Sequence, residues 1–193
     1  MRSRDSRGFI IWLTGLPGSG KTTLARALAA RLSPDVRVEV LDGDEVRTTV
    51  SRDLGFSRQD RDVQVGRLGF IARLLARNDV AVIVAAVSPY EEARDRERRC
   101  SQEGGIPFVE VHLDADLPLL IEHDTKGNYR RALDGQLAHF TGVTDPYEPP
   151  LHPDLRLRTT REPLDAGLRA IHAVLMERGL VTGLGVCLAA VLQ

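Results

Sequence analysis

The chain has 193 residues, 42% of them hydrophobic and 27% charged, with a formal net charge of −1. That length suits a single domain with a sizeable core. The balanced charge argues against a general nucleic-acid or membrane-surface binder, because such proteins carry a basic excess.

The chain starts with a charged stretch, Met1 to Arg7, with no apolar core long enough for a signal peptide; a frayed tail is expected. Phe9 to Thr14 is an apolar run of strand length. It leads into Gly15-Leu16-Pro17-Gly18-Ser19-Gly20-Lys21-Thr22, a full G-x-x-x-x-G-K-[ST] phosphate loop, with Thr23 opening a helix that runs to Leu32. In such a loop successive backbone N–H groups face a phosphate at the positive end of the following helix. Lys21 would reach the β- and γ-phosphates of a nucleotide, and the Thr22 hydroxyl would hold Mg²⁺. Arg supplies 24 of the 26 basic side chains. A lysine kept at position 21 therefore indicates a site that wants a compact ammonium.

Val36 to Leu41 alternates as a second strand and ends in Asp42-Gly43-Asp44. Two carboxylates at the carboxyl end of a strand, one strand from a phosphate loop, suit the ligand crevice of an open α/β sheet. A short helix is expected over 45–52 and a long amphipathic one over 58–78, with Ser57 as its cap. Val63, Val65, Leu68, Ile71, Ala72, Leu74 and Leu75 should form most of its buried side. Arg47, Arg61 and Arg67 around this helix pair could grip an anionic second substrate. Val80 to Val87, continuously apolar, fits a central parallel strand and is too short to cross a membrane.

An Arg-rich helix is expected over 91–102, a strand over 106–113 and a short helix over 116–123. The segment 124–153 is rich in Gly and Pro and poor in apolar runs, which suits a lid that excludes water from phosphoryl transfer. A last strand (155–159) and a closing helix (161–178) ended by Gly179 follow. The apolar tail 180–193 is too short for a membrane anchor. Cys100 and Cys187 lie far apart without metal-ligand spacing and read as reduced thiols of a cytoplasmic protein. Alternating strands and helices predict a three-layer α/β/α phosphate-loop fold with a mostly parallel sheet, in one domain spanning 1–193. Strand order stays open.

From about Gly8 to Gly179 the chain resembles the adenylylsulfate kinase (APS kinase) family. The matching segments are the phosphate loop, Leu41-Asp42-Gly43-Asp44-Glu45-Val46-Arg47, Asp53 to Ser57, Val87-Ser88-Pro89-Tyr90, Asp124 to Tyr129 and Phe140-Thr141-Gly142-Val143-Thr144-Asp145-Pro146-Tyr147-Glu148. The resemblance implies ATP- and Mg²⁺-dependent phosphorylation of the 3′-hydroxyl of adenosine 5′-phosphosulfate. It implies catalytic roles for Lys21, Asp42 and Asp44, with Thr22 and Asp42 at the metal. Gly15 to Thr23 would hold ATP. Asp44, Arg47, Arg61, Gln64, Val87, Ser88, Pro89, Lys126 and Phe140 would meet the acceptor, with Phe140 stacked on its adenine. Ser88 matches a serine sometimes described in the family as a phosphoserine intermediate; direct in-line transfer needs none, and no activating base is evident near it in the sequence. The resemblance also leaves room for a homodimer.

Departures from the family pattern are Pro17 for Ser, Glu45 for Asn, Gln64 for Asn, Gly66 for Arg, His123 for Arg and Thr125 for Pro. They concentrate on the acceptor side and the lid entrance. Two alternatives therefore stay open: a kinase for another 5′-modified nucleotide, and a non-catalytic nucleotide-binding subunit.

Overall fold

The structure, a computed structural model, describes residues 7–182. The expected frayed tail at 1–6, most of the apolar tail (183–193) and Cys187 lie outside the described residues. Strand β1 (Ile10–Gly15) is buried at all six positions, so it must lie inside the sheet. It pairs in parallel with β3 (Val80–Ala85) on one side and β4 (Phe108–Leu113) on the other. Strand β2 (Arg37–Asp42) pairs with β3, and the short β5 (Leu155–Leu157) with β4. The order is β2-β3-β1-β4-β5. From β1 the chain goes first to β2, two places away on one side, and later to β4 on the other. The crevice beyond the carboxyl end of β1 is therefore the topological switch point, where ligands bind in open α/β sheets.

Helices cover both faces, as the α/β/α expectation requires. On one face α1 (Lys21–Leu32) and α7 (Leu164–Glu177) bury Leu24, Leu28, Ile171 and Leu175 against Ile11, Leu13 and Val109. On the other, α3 (Arg58–Ala76) and α4 (Glu91–Glu103) cover Ile10, Trp12, Val82 and Val84 with Val65, Leu68 and Ala72. A third, small cluster of Ala115, Leu120 and Tyr129 lies under the lid, with Leu16, Phe140 and Val143 packed on it. Among the described residues no helix is long and apolar enough to cross a membrane.

Several expectations need correction. The helix expected over 45–52 is α2 (Gly43–Thr48) and starts earlier, because the Asp42 carboxylate accepts the Asp44 N–H and caps it. Helix α3 does start at a cap: Ser57 and Asp60 form a reciprocal capping box. Its buried face is Arg61, Gln64, Val65, Leu68, Gly69, Ala72 and Ala76, whereas Val63 and Leu74 are exposed. Gly69 is buried because the Glu97 carboxylate lies against it. A Cβ there would fall 1.8 Å from Glu97 Oε2, so any larger residue would have to displace this carboxylate, which pairs with Arg73. The lid is also less irregular than expected. After α5 (Leu117–Glu122) it contains α6 (Asn128–Leu133), whose first turn is held by the Asp124 carboxylate accepting the Asn128 and Arg130 N–H groups at 3.0 Å each. At the other end of the chain, Leu180 and Val181 pack on the α1/α7 core.

Candidate active site

The phosphate loop leaves β1 at Gly15 and enters α1 at Lys21. Gly20, at the N-cap, has φ 90°, a left-handed conformation that a Cβ would disfavour, and no side chain caps the helix. The N–H groups of the first turn therefore face the crevice unpaired by a side chain, as an anion site requires. Lys21 Nζ lies over the loop, donating to the Gly15 and Leu16 carbonyls (2.9 and 2.8 Å) and to Ser19 Oγ (3.3 Å). Burial lowers its pKa to about 8, against the pull of Asp44 and then Asp42 in the opposite direction; Lys126 adds to the lowering.

Strand β2 brings its acids to the same crevice. Thr22 Oγ1 donates to Asp42 Oδ2 at 2.7 Å, while Asp42 Oδ1 accepts the Asp44 N–H at 2.9 Å. Both carboxylate oxygens are thus oriented, and each keeps a lone pair for a further partner. Among the described residues no cluster of three or more His, Cys, Asp or Glu forms a metal cage. One hydroxyl and one carboxylate of hard oxygen are, however, what Mg²⁺ takes from a protein when phosphates and water complete its shell.

These groups line a cleft of about 560 Å³ running from the phosphate loop to the lid. Pro17, Gly18, Gly20, Lys21, Thr22 and Thr23 form its floor, with Asp42 and Asp44 beside them. Arg47, Arg61, Gln64, Val87, Ser88, Pro89, Lys126 and Phe140 form the walls. Gly15, Leu16 and Ser19 do not line it. Ser19 is buried beneath the loop, and Leu16 turns to the cluster under the lid.

Arg67 is not brought to the cleft. It makes a two-pronged bond to the Asp53 carboxylate at 2.6 and 2.7 Å and also donates to the Val50 carbonyl. Gly66 and Glu45 also lie off the lining, whereas Pro17, Gln64, His123 and Thr125 are on it. The departures from the family pattern therefore touch the cleft at four positions. Gln64 Nε2 donates to the Gly43 carbonyl at 3.1 Å, tying α3 to the turn between the two acids, and its Oε1 is buried without a partner.

Burial weighs on both arginines of the wall. Burial, then the nearby Arg61, lowers the pKa of Arg47, which spans Phe56 and donates to the Gly55 carbonyl at 2.5 Å. Burial likewise lowers that of Arg61, opposed by Asp145 at 3.8 Å. Arg61 also donates to the Phe56 and His139 carbonyls, so one side chain joins the loop before α3 to the lid.

Ser88 has φ 45°, a strained conformation for a residue with a Cβ, and is 3% exposed. Its Oγ accepts from Trp12 Nε1 at 3.1 Å, and its carbonyl accepts from the buried Arg94 at 2.6 Å. Arg94 in turn pairs with Glu110 at 2.9 Å and donates to the Glu148 carbonyl at 2.7 Å. The pocket wall and the return of the lid are thus held by one buried guanidinium.

Sequence reasoning missed several residues here. Phe56 is half exposed on the lining of the same cleft as Phe140; its place in a short loop after Gly55 was the available signal. A second cleft of about 230 Å³ on the far side of the loop is lined by Thr23, Leu157, Thr159, Glu162 and Leu164. The Thr159 hydroxyl is buried there without a partner. No local pattern marks that stretch, which becomes a wall only when β5 reaches the sheet edge.

A model of the family described as adenylylsulphate kinase matches residues 7–158. The chain is 54% identical over 176 residues to the adenylyl-sulfate kinase of Myxococcus xanthus, covering 91% of this chain and 95% of that one. It is 50% identical over 169 residues to a probable adenylyl-sulfate kinase of Aeropyrum pernix, covering 87% and 92%. Its structure resembles that of the Mycobacterium tuberculosis APS kinase CysC in complex with AMPPNP and APS, with a TM-score of 0.85 and 38% identity, covering 88% and 98%. With the motifs and the fold in agreement, the chain belongs to the adenylylsulphate kinase family.

Proposed function

We propose that this protein transfers the γ-phosphoryl group of ATP to the 3′-hydroxyl of adenosine 5′-phosphosulfate. The observation that carries this reading is the Thr22–Asp42 hydrogen bond at 2.7 Å. It joins the helix after the phosphate loop to the acid at the end of β2, in a cleft whose lining also includes the lid aromatic Phe140.

In this reading ATP lies with its phosphates on Gly15 to Thr23 and its base end toward the cleft of Thr159 and Glu162. Thr22 and Asp42 would hold Mg²⁺, which supplies positive charge between the phosphates. Lys21 leaves the Gly15 and Leu16 carbonyls for the β- and γ-phosphates. The acceptor base stacks between Phe140 and Phe56, and Arg47, Arg61 and Lys126 face its anionic groups. Asp42 orients the 3′-hydroxyl and takes its proton as the oxygen attacks phosphorus. The bond from phosphorus to the bridging oxygen breaks, and ADP leaves with that electron pair. Asp44, whose carboxylate accepts no hydrogen bond among the described residues, is open to the acceptor. Family membership supports a further proposal, that two copies associate; the solution mass by light scattering tests it.

The deciding experiment is formation of the 3′-phosphonucleotide from ATP, Mg²⁺ and adenosine 5′-phosphosulfate, with Asp42→Ala as control. Turnover that this substitution abolishes is expected. ATP binding without turnover of this acceptor would overturn the reading.

A further inference from the structure

We propose that Tyr129 is a positioning residue that couples the two substrate sites, its hydroxyl holding the phosphate loop and its ring holding the aromatic wall of the acceptor site. The inference rests on the kinase reading above and goes beyond it. Tyr129 sits in the first turn of α6, within the lid, yet is 3% exposed. Its hydroxyl donates to the Pro17 carbonyl at 2.8 Å. Its ring meets Phe140 edge to face, with centroids 5.0 Å apart and planes at 84°. Among the described residues this is the sole side-chain hydrogen bond between the lid and the loop of residues 15–22.

Each end of the link is itself fixed. Asp124 holds the first turn of α6 through two backbone N–H groups. The Phe140 N–H donates to Thr144 Oγ1 at 2.7 Å, and its carbonyl accepts from the N–H groups of Val143, Thr144 and Asp145. Leu16 and Leu120 pack around the tyrosine. The link is thus a short rigid lever, from the carbonyl side of the phosphate loop to the face that receives the acceptor base. Burial raises the Tyr129 pKa to about 12, so the hydroxyl stays a donor across the working range.

A triphosphate on the loop fixes the Pro17 carbonyl and with it the tyrosine. Phe140 then has less freedom left to lose when the acceptor base stacks on it. Ordering paid for by the first ligand lowers the cost of the second, and by linkage the acceptor tightens ATP by the same factor.

Tyr129→Phe tests this, because it keeps the ring and removes the hydroxyl. The affinity of adenosine 5′-phosphosulfate is measured by calorimetry with Mg²⁺, with and without a non-hydrolysable ATP analogue. In the wild type the analogue should tighten the acceptor by about fivefold or more. In Tyr129→Phe that factor should fall toward one, with acceptor affinity in the absence of the analogue nearly unchanged. A purely structural role would weaken both measurements alike and leave their ratio intact. An unchanged ratio in the variant, or no tightening in the wild type, overturns the inference alone. A wild type that binds the analogue but never the acceptor overturns the kinase reading and this inference together.

Discussion

Tyr147 and Thr14, 133 positions apart in the chain, meet at 3.0 Å through their hydroxyls beneath the active-site cleft. Thr14 Oγ1 also donates to the Val87 carbonyl at 2.7 Å, so its one proton is spent there and Tyr147 must donate to Thr14. The return of the lid, the strand before the phosphate loop and the Val87 wall of the cleft thus share one hydroxyl. Tyr147→Phe should cost about 1 kcal/mol of stability, the net worth of one hydrogen bond. Thr14→Val strands both the Tyr147 hydroxyl and the Val87 carbonyl, and should cost more, about 1–3 kcal/mol. Chemical denaturation of the two variants gives the ranking, and the reverse order would refute the assigned proton direction.

Ser88→Ala should keep turnover within a few-fold of wild type. Its hydroxyl serves the Trp12 indole from inside the fold, and nothing in the structure activates it as a nucleophile. Losing that acceptor should change the fluorescence of Trp12, the one tryptophan in the chain. A folded variant without turnover would restore a phosphoserine carrier.

Lys21 should make ATP binding pH-dependent. Its pKa of about 8 in the ligand-free protein reflects burial, and phosphate oxygens favour the charged form. Below pH 8 the ammonium is already present and binding takes up little proton. As pH rises through 8 binding must take up a proton, so affinity falls. Calorimetry at pH 7 and pH 9 in buffers of different ionisation enthalpy should show proton uptake only at the higher pH. Lys21→Met should abolish that uptake and weaken ATP by about 10- to 100-fold, the worth of a charge-assisted contact.

His112 should make the fold acid-sensitive. Burial lowers its pKa to about 4, Asp114 opposes this, and Arg156 and Arg94 add to it. The ring stacks on Tyr147 with centroids 5.9 Å apart, and its Nδ1 is buried without a partner. An unfolded histidine takes its proton near 6.5, whereas the folded one stays neutral until about 4. The His112 contribution is therefore complete above 6.5 and lost as pH falls from 6.5 toward 4. His112→Phe keeps the stack and should flatten the slope of unfolding free energy against pH in that window by about one proton. An unchanged slope would assign the acid sensitivity to other groups.

The long helix shows where local pattern stops. An apolar stripe read along α3 includes Val63 and Leu74, yet the fold exposes both and buries Arg61, Gln64 and Gly69. Arg61 and Gln64 are buried because one side of α3 is a wall of the cleft, where polar groups find carbonyls of the lid and of Gly43. Gly69 is buried because α4 brings a carboxylate to it. None of these partners is near in sequence. The same limit placed Arg67 among possible anion-binding groups, when Asp53 already occupies its guanidinium. Helix α6 was hidden for a different reason: Gly127 and the polar residues around it read as loop until the Asp124 carboxylate caps the turn.

What the sequence determined by itself is the chemistry carried by contiguous residues. The phosphate loop, the acid pair after β2, the capped start of α3 and the alternation of strand and helix all depend on spacing along the chain, which backbone geometry converts directly into local structure. What only the tertiary structure decided is the order β2-β3-β1-β4-β5, the pairing of Thr22 with Asp42, the presence of Phe56 and Phe140 on one cleft lining, and the tyrosine links from the lid to Pro17 and Thr14. Each of these joins segments distant in the chain. Such contacts follow from which faces the sheet and helices bury together, and no local pattern of residues encodes that choice.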